Sequence, residues 1–121
     1  FALADAAQNL SAVTAACMLT KRSVFEAVNG FTEELSVAFN DIDYCLKVRE
    51  IGLLVVYTPE AELYHYESLS RGYETSVEKQ IRFHREVSYI NYRWADYFVR
   101  GDPYINVNVT NDEPFNCYYH L

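Results

Sequence analysis

The longest periodic segment of the sequence runs from residue 75 to residue 100, and it constrains the fold most. Thr75 or Ser76 is placed to cap its start, with Glu78 available for a capping box, and Gly101 marks its end. One stripe repeats every three or four residues, the spacing of a single helix face: Val77, Ile81, His84, Val87 or Ser88, Ile90, Trp94, Tyr97 and Phe98. The sequence therefore predicts a long C-terminal helix that packs on its own domain or on a partner.

Short helices and strands are predicted before this helix. We expect a short helix or a loop over residues 1–12, a buried strand over 13–19, and a helix over 21–29 that Thr20 caps and Gly30 ends. A second helix is expected from Asn40 or Asp41 to about Ile51, followed by strands over 53–57 and 62–67. The loops are 31–39 and 68–74. The predicted class is α/β: a small mixed sheet of about three short strands with flanking helices.

Composition excludes several classes of function. The chain has 121 residues with 10 basic and 17 acidic side chains, a formal charge of −7, which argues against a nucleic-acid surface. No apolar run approaches the roughly 20 residues of a bilayer span. Cys17, Cys45 and Cys117 lack disulfide or metal spacing and favour a reducing, cytoplasmic compartment. Cys17 and Cys45 have apolar neighbours and are predicted to be core thiols.

Asp41 and Asp43 form a D-x-D pattern that resembles a metal site. On a helix, however, residues two apart point to different sides, so the two carboxylates would not converge on one ion. We place both in the first turn of the second helix, where a carboxylate meets free N–H groups, and simple capping explains them equally well. A metal-dependent hydrolase built from Asp41, Asp43 and His65 stays open only if the carboxylates converge.

Two further groups of residues are candidates for binding or catalysis. On a strand, His65 and Glu67 share one face, which would suit a ligand with an acidic neighbour, although a hydrogen-bonded core histidine is the commoner case. Ser70 and Arg71, followed by Gly72, supply a hydroxyl, a forked guanidinium and a permissive backbone for an oxyanion. That tripeptide is common and by itself is weak evidence for an anion-binding site.

Four sequence segments occur in an order that is known from one protein family: GFTEE at 30–34, FNDIDYCLKVR at 39–49, LYHYESLSRG at 63–72 and DPYINVNVT at 102–110. Together they resemble the second half of the catalytic domain of family 2 glycosyltransferases. The bacterial rhamnosyltransferase-like group that builds surface polysaccharide is the most similar. The resemblance covers about residues 12–111, and Ile105, Val107 and Val109 depart from the group's usual ending.

The resemblance implies a partial GT-A fold that transfers a sugar, with inversion, from a nucleotide-diphospho-sugar donor to a glycan or lipid-linked acceptor. Asp41 matches the general base, and Asn40 replaces the commoner Glu beside it. Asn40 and Asp43 are then expected to contact substrate. His65 matches a ligand of the divalent ion, Mn²⁺ or Mg²⁺, while Ser70 and Arg71 fall in the loop that closes over the diphosphate.

The family's first half, which binds the nucleotide and carries the metal-binding D-x-D, is absent from this sequence. We therefore expect residues 1–74 to be the C-terminal half of a catalytic domain and 75–121 to be the long helix with an extension. Alone, the chain is expected to be inactive, with exposed apolar surface that favours a homo-oligomer. The expected location is the cytoplasm or the inner face of the membrane.

The alternative to a transferase fragment is a non-catalytic carbohydrate- or protein-binding module that uses the chain's 11 tyrosines.

Overall fold

The computed structural model describes residues 5–66 and 76–105. Strand β1 (Gln8–Leu10) is followed by a short 3₁₀ turn (Ala15–Cys17), helix α1 (Arg22–Ala27), helix α2 (Asn40–Glu50), strand β2 (Val55–Tyr57), helix α3 (Val77–Arg93) and helix α4 (Ala95–Arg100). The two strands pair antiparallel, with Asn9 opposite Val56. This part of the chain is mixed α/β, as predicted, but its sheet is antiparallel rather than mixed, and residues 61–66 form no strand.

The first twenty residues differ most from the prediction. Residues 8–10 form a strand where a helix or loop was expected. The predicted buried strand over 13–19 is wrong, because the Thr14 hydroxyl accepts a hydrogen bond from the Ala16 N–H at 3.3 Å and closes a local turn. Cys17 lies exposed in that turn, so its prediction as a core thiol is wrong, whereas Cys45 is buried as predicted.

Helices α1 and α2 end as the sequence predicts, and α2 begins at Asn40 as predicted, but the residues that cap the two helix starts differ from the prediction. Gly30 (φ +60°) and Gly52 (φ +82°) follow them in the left-handed region. The residue that precedes α1 is Lys21, and the Thr20 hydroxyl instead bonds the Tyr44 hydroxyl at 2.7 Å. The N-cap of α2 is Phe39, which provides no side-chain cap, rather than Asn40 or Asp41.

The predicted long helix is two helices that meet at Trp94. Ser76 caps α3, and its hydroxyl accepts from the Lys79 N–H at 3.3 Å. A capping box needs Glu or Gln three residues after the cap, and that residue is Lys79, so the predicted box with Glu78 does not form. Ile90 and Trp94 are buried, but Val77 and Ile81 are 67% and 65% exposed. The predicted apolar stripe is therefore buried only at Ile90 and Trp94, and Phe98 at its end is 49% exposed.

Helix α2 lies between two hydrophobic clusters. One cluster consists of Val28, Tyr44, Cys45, Val48 and Val55, and the other of Leu35, Leu46, Ile90 and Trp94. Because α2 contributes to both, its rotation about its own axis is fixed, and so are the directions of the polar side chains in its first turns. Within residues 5–66 and 76–105, no helix has the length and apolarity that a bilayer crossing requires.

Candidate functional site

The start of α2 carries Asn40 and Asp41, both half-buried. The Asp41 carboxylate is oriented by two backbone donors: Oδ2 accepts from the Ala15 N–H at 3.1 Å and Oδ1 from the Ile42 N–H at 2.9 Å. A carboxylate oxygen has two lone pairs, so each oxygen can still accept a further hydrogen bond. Asp41 is thus a fixed, partly accessible acceptor at the mouth of a helix, where the dipole favours negative charge.

Asp43 lies in a different environment from Asp41. It is 1% exposed, Oδ1 accepts from Trp94 Nε1 at 2.8 Å, and Oδ2 accepts from the Thr32 hydroxyl at 2.6 Å. The Lys47 ammonium lies 3.5 Å from Oδ2. These contacts favour a structural role for Asp43, which joins α2 to the loop before it and to the end of α3.

The two carboxylates therefore face different partners, as the spacing of two residues on a helix predicts. The metal-dependent hydrolase hypothesis required Asp41 and Asp43 to converge, and it is wrong.

The backbone turns sharply just before Asn40. Phe39 has φ +63°, a left-handed conformation that costs a bulky residue about 1–3 kcal/mol. Its carbonyl accepts from the Asp43 N–H at 2.9 Å, and its ring centroid lies 5.8 Å from that of Phe83 on α3. Contacts with α3 thus hold the chain where it enters α2.

Glu86 on α3 holds the residues that lead into this turn. Its side chain is 0% exposed and accepts hydrogen bonds from the Ser36 hydroxyl, the Val37 N–H and the Ala38 N–H, each at 3.0 Å. The Arg82 guanidinium lies 3.8 Å away. Hydrogen bonds to a charged group contribute roughly 1.5–3 kcal/mol each, which offsets the desolvation of the carboxylate.

Glu86 was not among the residues singled out from the sequence. Its position carried a signal, since it lies three residues after Phe83 and four before Ile90, on the face that α3 buries. A carboxylate on a buried helix face indicates donors on the opposing surface.

His65 lies between two tyrosines on an exposed segment without regular secondary structure. Tyr64 and Tyr66 are 90% and 72% exposed, and their ring centroids are 6.3 Å apart in a stacked arrangement. Ser70 and Arg71 lie outside the described residues. In the part of the chain that the structure covers, no three His, Cys, Asp or Glu side chains are grouped to hold a metal ion.

Cys45 lies one turn beyond Asp41 on α2. Burial raises the pKa of its thiol, a backbone hydrogen bond at Val13 opposes this, and the nearby Asp41 carboxylate raises the pKa further. The thiol also donates to the Val13 carbonyl at 3.7 Å. The thiol therefore stays protonated at neutral pH and is a poor nucleophile.

A concavity of about 290 Å³ lies along α2, α3 and α4 and is lined by three arginines. Arg93 Nη2 lies 2.8 Å from a carboxylate oxygen of Glu50, and Arg100 lies 3.9 Å from Asp96. Arg49 donates to the Ser11 and Tyr97 hydroxyls at 2.9 and 2.8 Å. Because the carboxylates of Glu50 and Asp96 balance two of the three guanidinium charges, the cleft is less cationic than its arginine count suggests.

Comparison with known proteins gives three informative relatives. The chain is 56% identical over 103 residues to the uncharacterized protein y4gI of Sinorhizobium fredii, covering 84% of this chain and 11% of that protein. It is 36% identical over 104 residues to the O-antigen biosynthesis protein RfbC of Myxococcus xanthus, covering 85% of this chain and 8% of RfbC. It is 31% identical over 78 residues to the N-acetylglucosaminyl-diphospho-decaprenol L-rhamnosyltransferase of Mycobacterium tuberculosis, covering 64% of this chain and 25% of that enzyme.

The chain thus has relatives named for O-antigen biosynthesis and for rhamnosyl transfer, and it spans no more than a quarter of any of these three proteins. No protein-family model matches the chain. No solved structure matches it either.

Proposed function

We propose that this chain is part of an inverting glycosyltransferase of family 2 that acts in bacterial surface polysaccharide synthesis. The donor is a nucleotide-diphospho-sugar and the acceptor is a hydroxyl of a glycan or a lipid-linked sugar. The observation that carries the proposal is the similarity over 104 residues to a protein named for O-antigen biosynthesis, at 36% identity. The match to a named rhamnosyltransferase supports the same class of reaction.

Asp41 is the proposed general base. A sugar hydroxyl is a weak nucleophile, and a positioned carboxylate that accepts its proton in the transition state accelerates transfer by roughly 10²–10⁴-fold. Two backbone N–H groups orient the Asp41 oxygens, and its half-buried side chain leaves room for an acceptor hydroxyl. Asn40 precedes it and is proposed to contact substrate, as are Asp43, Ser70 and Arg71. For Asp43 this would require an opening of its present contacts.

A divalent ion, Mn²⁺ or Mg²⁺, remains part of the proposal, with His65 as one ligand. When bound, such an ion would stabilise charge on the leaving diphosphate. Removal of metal with EDTA and re-addition of Mn²⁺ or Mg²⁺ to the full-length protein tests this requirement.

The reaction class is tested directly on the full-length protein. We expect acceptor-dependent release of nucleoside diphosphate from at least one of a panel of UDP-, GDP- and dTDP-linked sugars. NMR of the first product should show an anomeric configuration opposite to that of the donor. Retention of configuration would exclude the inverting mechanism, and the absence of release with every donor would contradict the proposal.

The stacked Tyr64 and Tyr66 rings favour a second candidate, a non-catalytic carbohydrate-binding module. Exposed aromatic rings present apolar faces with polar tips to a ligand. This candidate predicts glycan binding that EDTA does not change and that Tyr64→Ala with Tyr66→Ala removes. Binding that persists in the double variant would exclude these rings as the binding surface.

A further inference from the structure

Glu86 connects the middle of α3 to the loop that precedes the proposed base. Its carboxylate receives donors from three consecutive residues, Ser36, Val37 and Ala38, each at 3.0 Å. The next residue is Phe39, whose left-handed backbone begins the turn into α2, and Asp41 follows two residues later. Only Phe39 and Asn40 therefore separate the segment that Glu86 binds from the residue proposed to accept the proton.

The same face of α3 supports the turn through a second contact. Phe83, three residues before Glu86, places its ring 5.8 Å from that of Phe39. Phe39 also takes part in the cluster that contains Leu35, Leu46, Ile90 and Trp94. The approach to α2 is thus held by hydrogen bonds at 36–38 and by packing at Phe39.

We propose that Glu86 is a positioning residue for sugar transfer, which sets the direction of the Asp41 carboxylate by holding residues 36–38. This inference rests on the proposed function. Glu86 itself is fully buried, so its side chain is not accessible to a substrate at the surface. Its three donors use both carboxylate oxygens, so a side chain with one oxygen cannot satisfy them all. A displacement of about 1 Å at a reacting group is enough to cost about 100-fold in rate.

The test is Glu86→Gln in the full-length protein, with Glu78→Gln as the matched control. Both residues are on α3, but Glu78 is exposed in its first turn. For Glu86→Gln we expect kcat per folded molecule to fall about 10- to 100-fold with little change in donor KM. Hydrogen exchange of the segment 36–42 should become faster. Glu78→Gln should change neither quantity.

A double-mutant cycle of Glu86→Gln with Asp41→Asn separates an effect on the position of Asp41 from a general loss of stability. If Glu86 acts through Asp41, adding Glu86→Gln to Asp41→Asn should change the residual single-turnover rate by less than about twofold. A further tenfold loss in the double variant would overturn the inference. So would faster exchange with unchanged kcat, or a loss of activity that only matches the loss of folded protein. Normal turnover by Asp41→Asn alone would instead overturn the proposed function.

Discussion

At the scale of single residues, Asp43 is one of the two fully buried carboxylates in the described part of the chain. Its carboxylate is buried and receives donors from the loop before α2 and from Trp94, with Lys47 alongside. Removal of one partner from such a group leaves other buried polar atoms without their hydrogen bonds, which is more costly than the loss of a single exposed bond.

We predict that Asp43→Ala lowers the free energy of unfolding of the 121-residue chain by about 3 kcal/mol. Thr32→Val removes one donor and leaves the carboxylate with Trp94 and Lys47, so its cost should be about 1 kcal/mol. Urea denaturation followed by the fluorescence of Trp94, the one tryptophan of the chain, measures both. Equal effects of the two variants would contradict the role assigned to Asp43.

Cys45 gives a prediction about alkaline pH. Its folded-state pKa is raised above the ordinary value of 9.0, chiefly by burial. Above that pH the unfolded chain loses the thiol proton while the folded chain keeps it, so stability falls as pH rises.

Cys45→Ala should therefore lose less stability between pH 8 and pH 10 than the wild type, while the exposed Cys17→Ala keeps the wild-type slope. Urea midpoints across this pH range check the prediction. If the urea midpoints of Cys45→Ala and Cys17→Ala change identically with pH, the buried thiol does not contribute to the pH dependence of stability.

At the scale of elements, the two glycines that follow α1 and α2 differ in their surroundings. Both have positive φ, but a Cβ at Gly30 would lie 2.7 Å from the Phe25 ring, whereas a Cβ at Gly52 would meet nothing within 4 Å. The Phe25 ring also lies against Phe31 and Tyr44, which limits how far it can move.

Gly52→Ala should cost about 1 kcal/mol, from backbone strain alone. Gly30→Ala should cost about 2 kcal/mol more than that, because the aromatic cluster must also shift. Thermal or urea denaturation of the two variants measures the difference. A Gly30→Ala variant as stable as Gly52→Ala would contradict the close approach of Phe25.

The elements that local sequence signals define were predictable. The bounds of α2, the strand over 55–57 and the start of α3 followed from helix-breaking glycines, a β-prone run and the Ser76 cap. Local signals failed where a distant contact or a competing turn decides the structure. At Thr14 a local turn forms in place of the predicted strand. At Trp94 no glycine or proline marks the break between α3 and α4, and the Trp94 indole donates to the distant Asp43.

The candidate site was predictable to the same extent. The divergence of Asp41 from Asp43 followed from helical spacing, which is local. Asp41 as a general base came from the resemblance to family 2 glycosyltransferases and stays a proposal. The burial of Asp43 and the role of Glu86 depend on donors more than ten residues away, at Thr32, Trp94 and 36–38. No spacing rule along the chain connects these residues.

At the scale of the whole molecule, apolar side chains lie exposed beside the small sheet. Leu54 and Val56 are 61% and 56% exposed, with Ile51 and Leu53 near them in the chain. In the described part of the chain β2 pairs with β1 alone, which leaves its second edge open. An open edge with apolar neighbours is a typical surface for association.

We predict that the 121-residue chain self-associates at micromolar concentration and that Leu54→Lys with Val56→Lys shifts it toward monomer. Val77→Lys, which changes a valine on α3 that is 67% exposed, is the control and should leave association unchanged. Sedimentation velocity measures the distribution. A double variant that associates like the wild type would exclude this edge as the contact.

The central claim concerns one carboxylate, and its most direct test is the single-turnover rate of sugar transfer by full-length Asp41→Asn. Asparagine keeps the size of the side chain and an acceptor oxygen but cannot take the proton from the acceptor hydroxyl. We predict a rate at least about 100-fold below that of the wild type, with donor affinity within about twofold. A rate equal to the wild type would contradict Asp41 as the general base.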